Sequence, residues 1–158
     1  MAPPRILIVD DHQIVRQGVR TLLAEFRPDW EIAGEASDAS EAMLAITALK
    51  PDLVVLDITM PGTSGLELTS QVRSLGLPTQ ILIFTMHHSN RIGTDVRAAG
   101  AQGYVLKSQA ARDLVFAIER ILGGGTFYSN ESEGGGGGEP NPGRNVFFFS
   151  ALRISWVC

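Results

Sequence analysis

From Arg5 to Leu122 the chain alternates short apolar runs with stretches whose apolar residues recur at helical spacing. Arg5–Asp10 (RILIVD) and Leu53–Asp57 (LVVLD) are uninterrupted apolar runs that stop on acid, the pattern of strands buried on both faces. Trp30–Ala36 (WEIAGEA) alternates and predicts a strand nearer the sheet edge. Thr79–Thr85 (TQILIFT) and Gln102–Lys107 (QGYVLK) predict two further strands. Between them, Ile14, Val15, Val19, Leu22, Leu23 and Phe26 predict one helix, closed by Pro28. Asp38 with Glu41 three residues on is a capping-box signal for a helix ending at Lys50-Pro51. A third helix is expected from about Ser64 to Ser74, with Leu66, Thr69 and Val72 inward. A fourth, over Ser89–Ala99, is weakened by Gly93, which costs about 1 kcal/mol relative to alanine, so it is expected to be the most mobile. The last carries Leu114, Val115, Ile118, Ile121 and Leu122 on one stripe, with Ser108 as its expected N-cap and Gly123-Gly124-Gly125 as its stop.

Strands alternating with helices imply parallel strands, right-handed crossovers and helices on both faces. Five such units predict an α/β domain over residues 4–125: a flavodoxin-like (βα)5 doubly wound sheet of strand order 2-1-3-4-5. Residues 126–145 change character, with Gly134–Gly138 and then GEPNPGRN, and predict a Gly/Pro-rich linker. Residues 146–158, VFFFSALRISWVC, form an apolar tail of unassigned role.

Composition narrows the setting. At 158 residues the chain suits one domain with a sizeable core, and 44% hydrophobic residues are normal for a globular protein. A net charge of −4 gives no general basic footprint for nucleic acid and suits a cation better. Cys158 is the single cysteine, which excludes an internal disulfide and favours a reducing compartment. The N-terminus lacks a signal-peptide core and no stretch approaches membrane-spanning length. A soluble, cytoplasmic protein is expected.

The chemistry lies at the strand ends. Asp10-Asp11, Asp57, Thr85 and Lys107 terminate four of the five predicted strands, and parallel strands would bring them to one sheet edge, where ligands bind in such folds. Pro61, Gly62 and Gly65 break the backbone after Asp57 into a loop. Taken singly, Asp57 or Asp10-Asp11 could be helix caps, and Thr85 a plain strand end. Together, three carboxylates repel one another unless a cation joins them. Carboxylate oxygens suit Mg²⁺, which takes one or two of them together with phosphate oxygens. A hydroxyl and an ammonium suit the remaining phosphate oxygens, which leaves one carboxylate to act as nucleophile. His12, His87 and His88 read as surface or loop residues without a metal site.

These residues carry a resemblance. VDDH at 9–12, LDITMPGTSGLE at 56–67, Thr85 and GYVLK at 103–107, in this order and spacing, resemble the receiver domain of two-component response regulators of the NarL/FixJ (LuxR-type) group, over about residues 4–128. The resemblance implies that Asp57 accepts a phosphoryl group from a sensor histidine kinase. It implies that Asp11, Asp57 and the backbone carbonyl of Thr59 ligate Mg²⁺, with Asp10 acting through water. Lys107 would pair with the phosphoryl group, Thr85 would move to hydrogen-bond it, and Tyr104 would be the aromatic that reorients in response; a plain packing role for Tyr104 stays open. It further implies homodimerisation on phosphorylation, no membrane partner, and a signalling domain rather than a turnover enzyme.

Two positions depart from the wider receiver pattern. Ser108 stands where many receivers carry proline, which puts the cis peptide expected there in doubt. Met86 stands where a small residue is common and is expected to narrow access to the site and slow loss of the phosphoryl group. The residues after Gly125 carry no helix-turn-helix pattern, so DNA would be reached only through an output domain not present in this chain. A truncated or frameshifted transcription regulator, a stand-alone receiver acting through protein contacts, and a tail that docks on a partner remain the three accounts. Two rival functions stand beside these. A Mg²⁺-dependent phosphohydrolase would need an acid two positions after the nucleophile, where Thr59 stands. A degenerate receiver would not keep Asp10, Asp11, Asp57, Thr85 and Lys107 together.

Overall fold

The structure, a computed structural model, describes residues 2–86 and 88–129; His87, the glycine run and the apolar tail lie outside the described residues. Five strands and five helices alternate. They are β1 (Arg5–Val9), α1 (Gln13–Phe26), β2 (Glu31–Ala36), α2 (Ala39–Leu49), β3 (Leu53–Leu56), α3 (Gly65–Ser74), β4 (Gln80–Thr85), α4 (Ile92–Ala99), β5 (Gly103–Leu106) and α5 (Ala110–Leu122). A sixth strand, β6 (Phe127–Tyr128), follows. All pairings are parallel and the sheet order is 2-1-3-4-5-6. The doubly wound expectation and its 2-1-3-4-5 order therefore hold, with one strand added beyond β5.

Alternation along the strands sorts the core into two layers. Leu7, Val9, Val54, Leu56, Ile81, Ile83, Tyr104 and Leu106 pack with Ile46, Leu68, Val72 and Val96 of α2, α3 and α4. Ile6, Ile8, Leu53, Val55, Leu82, Phe84 and Val105 face Val19, Leu22 and Leu23 of α1 and Leu114, Ile118 and Ile121 of α5. The four residues of β3 are all essentially inaccessible, and burying such side chains stabilises by about 1.5–3 kcal/mol each. That makes β3 a rigid base for the acid that follows it.

The capping box of α2 appears as the sequence predicts. Asp38 caps α2 by accepting from the Glu41 amide at 2.8 Å, and the Glu41 carboxylate reaches back to the Ser37 amide at 2.8 Å. Ser64 caps α3 through the Glu67 amide. Leu68, absent from the predicted inward set, is fully buried in α3, whereas Leu66 is half-buried. Ile14, on the predicted apolar stripe of α1, is exposed, and the buried stripe starts at Val19. Ser108 does not cap α5. A 3-10 turn over Lys107–Gln109 intervenes, its backbone accepting the Ala110 amide, so Gln109 occupies the cap position. No cis peptide occurs among the described residues.

The stretch read as linker from residue 126 corrects in one respect: its first residues are folded. Gly124 turns the chain with φ 95°, and Phe127–Tyr128 then lies along β5. Two residues are too few to show strand periodicity in a sequence, which is why composition alone assigned them to the linker.

Candidate functional site

Register builds the site. Val9 pairs with Leu56, and the ladder continues one residue further: the Asp57 amide donates to the Val9 carbonyl at 3.0 Å, and the Asp10 amide to the Ala36 carbonyl at 3.1 Å. Asp10 and Asp57 thus sit side by side on the last rung of adjacent strands. Lys107 follows β5 on the same sheet edge, and Thr85 closes β4 opposite Leu106. Asp10, Asp57 and Thr85 are buried.

The helix after β3 is held tightly against this edge. The Gly65 amide donates to the Ile58 carbonyl at 2.8 Å. A Cβ at Gly65 would lie 2.1 Å from the Asp57 carbonyl oxygen, so only glycine lets α3 start this close beneath the Asp57 loop.

The electrostatics are those of a site short of positive charge. Lys107 Nζ lies 2.7 Å from Asp10 Oδ2 and 3.5 Å from Asp57 Oδ2. Its ammonium also lies 5.9 Å from the centre of the Phe84 ring. One ammonium is shared between the carboxylates of Asp10 and Asp57. Burial pushes the Asp57 carboxyl above the usual carboxylate range, and neighbouring Asp10 raises it further. The Lys107 charge and a 3.3 Å hydrogen bond from the Thr59 amide oppose that rise.

The donor set fits a hard divalent cation. Asp10, Asp11, His12 and Asp57 each offer a ligand atom within 4.8 Å of one another. Asp11 Oδ1 is buried with only the His12 imidazole beside it, at 3.1 Å, an acceptor that a cation would satisfy. Oxygen donors of this kind suit Mg²⁺.

His12 is the residue that sequence reasoning passed over. It is exposed, as expected of a surface histidine, but its Nδ1 lies 3.1 Å from Asp11 Oδ1 and 3.3 Å from Asp10 Oδ1. Its amide donates to Asp10 Oδ1 at 2.8 Å. Its place directly after the acid pair was the available signal. Arg16 is a second such residue: it binds the Asp10 carbonyl and pairs with Glu35 at 2.8 Å, tying α1 to β2 beside the acids. Glu35, beside the guanidinium groups of Arg20 and Arg16, is held below the usual carboxylate range.

Thus Asp10, Asp11, Asp57 and Lys107 come together as predicted, and the Thr59 amide joins them through Asp57. Tyr104 is fully buried, on the β5 face shared by Ile83 and Leu106. Among the described residues no helix is long and apolar enough to cross a membrane.

Comparison with known proteins agrees with this geometry. The response regulator receiver domain family matches residues 6–119. The nitrate/nitrite response regulator protein NarL of Escherichia coli (strain K12) is 36% identical over 123 residues, which are 77% of this chain and 56% of NarL. The DNA-binding transcriptional activator DevR/DosR of Mycobacterium tuberculosis is 34% identical over 128 residues, 81% of this chain and 58% of the relative. The chain therefore spans little more than half the length of these relatives. The crystal structure of a LuxR-family two-component response regulator from Aurantimonas sp. SI85-9A1 matches with a TM-score of 0.76 at 38% identity, over 96% of this chain and 99% of that one. The signal receiver domain of the putative response regulator NarL from Mycobacterium tuberculosis matches with a TM-score of 0.73 at 32% identity, over 78% and 99%. With this fold and this edge of acids and lysine, the chain belongs to the response regulator receiver domain family, in its LuxR/NarL group.

Proposed function

We propose that Asp57 accepts a phosphoryl group from the phosphohistidine of a sensor kinase, and that the receiver switches conformation in response. The observation that carries this reading is the placing of Asp57 between Asp10 and Lys107 on a rigid strand end. An Asp57 oxygen attacks phosphorus; the new O–P bond forms as the N–P bond breaks, and its electron pair leaves with the imidazole. Asp11, Asp57 and the Thr59 backbone carbonyl would hold Mg²⁺, with Asp10 acting through water. That ion would neutralise charge on the transferring oxygens.

Lys107 supplies the protein's own cation for the phosphoryl oxygens, turning from Asp10 toward the new group. The acyl phosphate adds about −1.5 to −2 charge and three acceptor oxygens. Thr85, at the end of β4, is the hydroxyl drawn toward them, and Tyr104 on the adjacent strand follows. By analogy with its relatives, the receiver governs a DNA-binding output within a longer protein, working in the cytoplasm and pairing with a second copy when phosphorylated. Its chemistry is self-modification, not turnover of an external substrate.

The test is intact mass after incubation with acetyl phosphate and Mg²⁺. Wild type should gain one phosphoryl group and Asp57→Asn none. A folded wild type that gains none would overturn the reading.

A further inference from the structure

Tyr104 lies between two neighbours on one face of the sheet. On one side is β4, with Ile83 in register and Thr85 two residues on; on the other is β6, with Tyr128 in register. The Tyr104 and Tyr128 rings meet edge to face, centroids 6.1 Å apart. The α4 helix passes over Tyr104 at Gly93, where an added Cβ would sit 3.8 Å from the ring.

Short as it is, β6 is firmly attached. The guanidinium of Arg97 stacks 4.0 Å from the centre of the Tyr128 ring, and buried Ser129 donates to buried Asp113 of α5 at 3.2 Å. The Phe127 amide donates to the Gln102 carbonyl at 3.1 Å. The close approach depends on Gly103, where a Cβ would fall 1.9 Å from the Phe127 carbonyl oxygen.

Movement of Tyr104 toward space vacated by Thr85 is movement toward β4, and so away from Tyr128. We propose that Tyr128 is a positioning residue for Tyr104, so that docking of β6 and phosphorylation of Asp57 oppose one another; this rests on the Asp57 reading above. Withdrawal of the Tyr104 ring removes one of the partners against which β6 packs, and β6 with Ser129 loosens from β5 and α5. Coupling of this kind is reciprocal. Loss of the Tyr128 ring must therefore favour the phosphorylated arrangement.

Hydrogen exchange of the full chain in Mg²⁺, with and without beryllofluoride as phosphoryl mimic, tests this. With the anion, the wild-type peptide over residues 125–129 should exchange about fivefold faster or more, while the loop after β3 gains protection. Tyr128→Ala should bind beryllofluoride several-fold more tightly at unchanged Mg²⁺ affinity, Tyr128→Phe should behave as wild type, and Gly103→Ala should act like Tyr128→Ala. A protected loop after β3 with an unchanged 125–129 peptide overturns the coupling and leaves the Asp57 reading standing. An anion that changes no peptide overturns both. Because the exchange experiment uses wild type, it does not depend on how the variants fold.

Discussion

The Lys107 ammonium sits closer to Asp10 than to Asp57, at 2.7 Å against 3.5 Å. In the phosphate-free protein the lysine therefore serves first as counter-charge for the acid that is buried beside the acceptor, and leaves the acceptor itself under-neutralised. That division keeps the Asp57 oxygens available while preventing Asp10 from standing alone in the protein interior.

Removing the lysine should be costly for that reason. Lys107→Ala strands Asp10 without its ion-pair partner, and breaking a buried pair costs about 3 kcal/mol. Urea unfolding in the presence of EDTA should show this loss, and saturating Mg²⁺ should recover part of it. A variant as stable as wild type without metal would show that water already screens Asp10.

The raised carboxyl of Asp57 sets the sign of a pH effect. Its folded-state pKa lies above its unfolded one, so in metal-free protein the unfolded chain gives up its proton first as pH rises. The group's contribution to stability is then lost between the two values, and the ionised form is a net cost above them. Asp57→Asn removes that cost. Without metal, the variant should melt above wild type at neutral pH, and the gap should close below about pH 4, where the carboxyl is protonated in both states. Equal melting at neutral pH would contradict the assignment of burial as the leading cause.

Gly65 should tolerate no side chain. Gly65→Ala forces a methyl group against the Asp57 carbonyl, and overpacking of this kind costs about 1–3 kcal/mol. The relief available is displacement of the Asp57 loop, so the variant should also bind Mg²⁺ more weakly. Calorimetric titration and thermal unfolding check both effects; full Mg²⁺ affinity with lowered stability would mean that α3 moves instead.

Met86, directly after Thr85, is 74% exposed. Its side chain is free of the core and directly follows the strand end at Thr85. Met86→Ala should shorten the lifetime of the acyl phosphate several-fold by opening the path for water, with no change in fold stability. Equal lifetimes would remove Met86 from the account.

How much of this was legible in the chain follows from what each feature needs. β1, β3, β4 and β5 announce themselves because their apolar runs are buried on both faces, and the acids, threonine and lysine that end them mark the sheet edge. Asp38 was visible as a cap because capping is local chemistry, whereas Ser64 marked only the start of α3. Ser108 was misassigned because the 3-10 turn that displaces it forms from backbone bonds, which leave no side-chain pattern. The short β6 escaped because its pairing depends on what Gly103 lacks, a contact between residues far apart in the chain. His12 was undervalued for a similar reason: an exposed histidine has no periodic signature, and its place over Asp10 and Asp11 comes from the turn between β1 and α1.

The central claim is that Asp57 carries the phosphoryl group. Wild-type protein treated with acetyl phosphate and Mg²⁺ can be reduced with borohydride, which converts an acyl phosphate to an alcohol, and then mapped by peptide mass. Conversion confined to Asp57 is the predicted result. Phosphoryl found instead on His12 or another side chain, or no modification of a folded protein, would contradict the account.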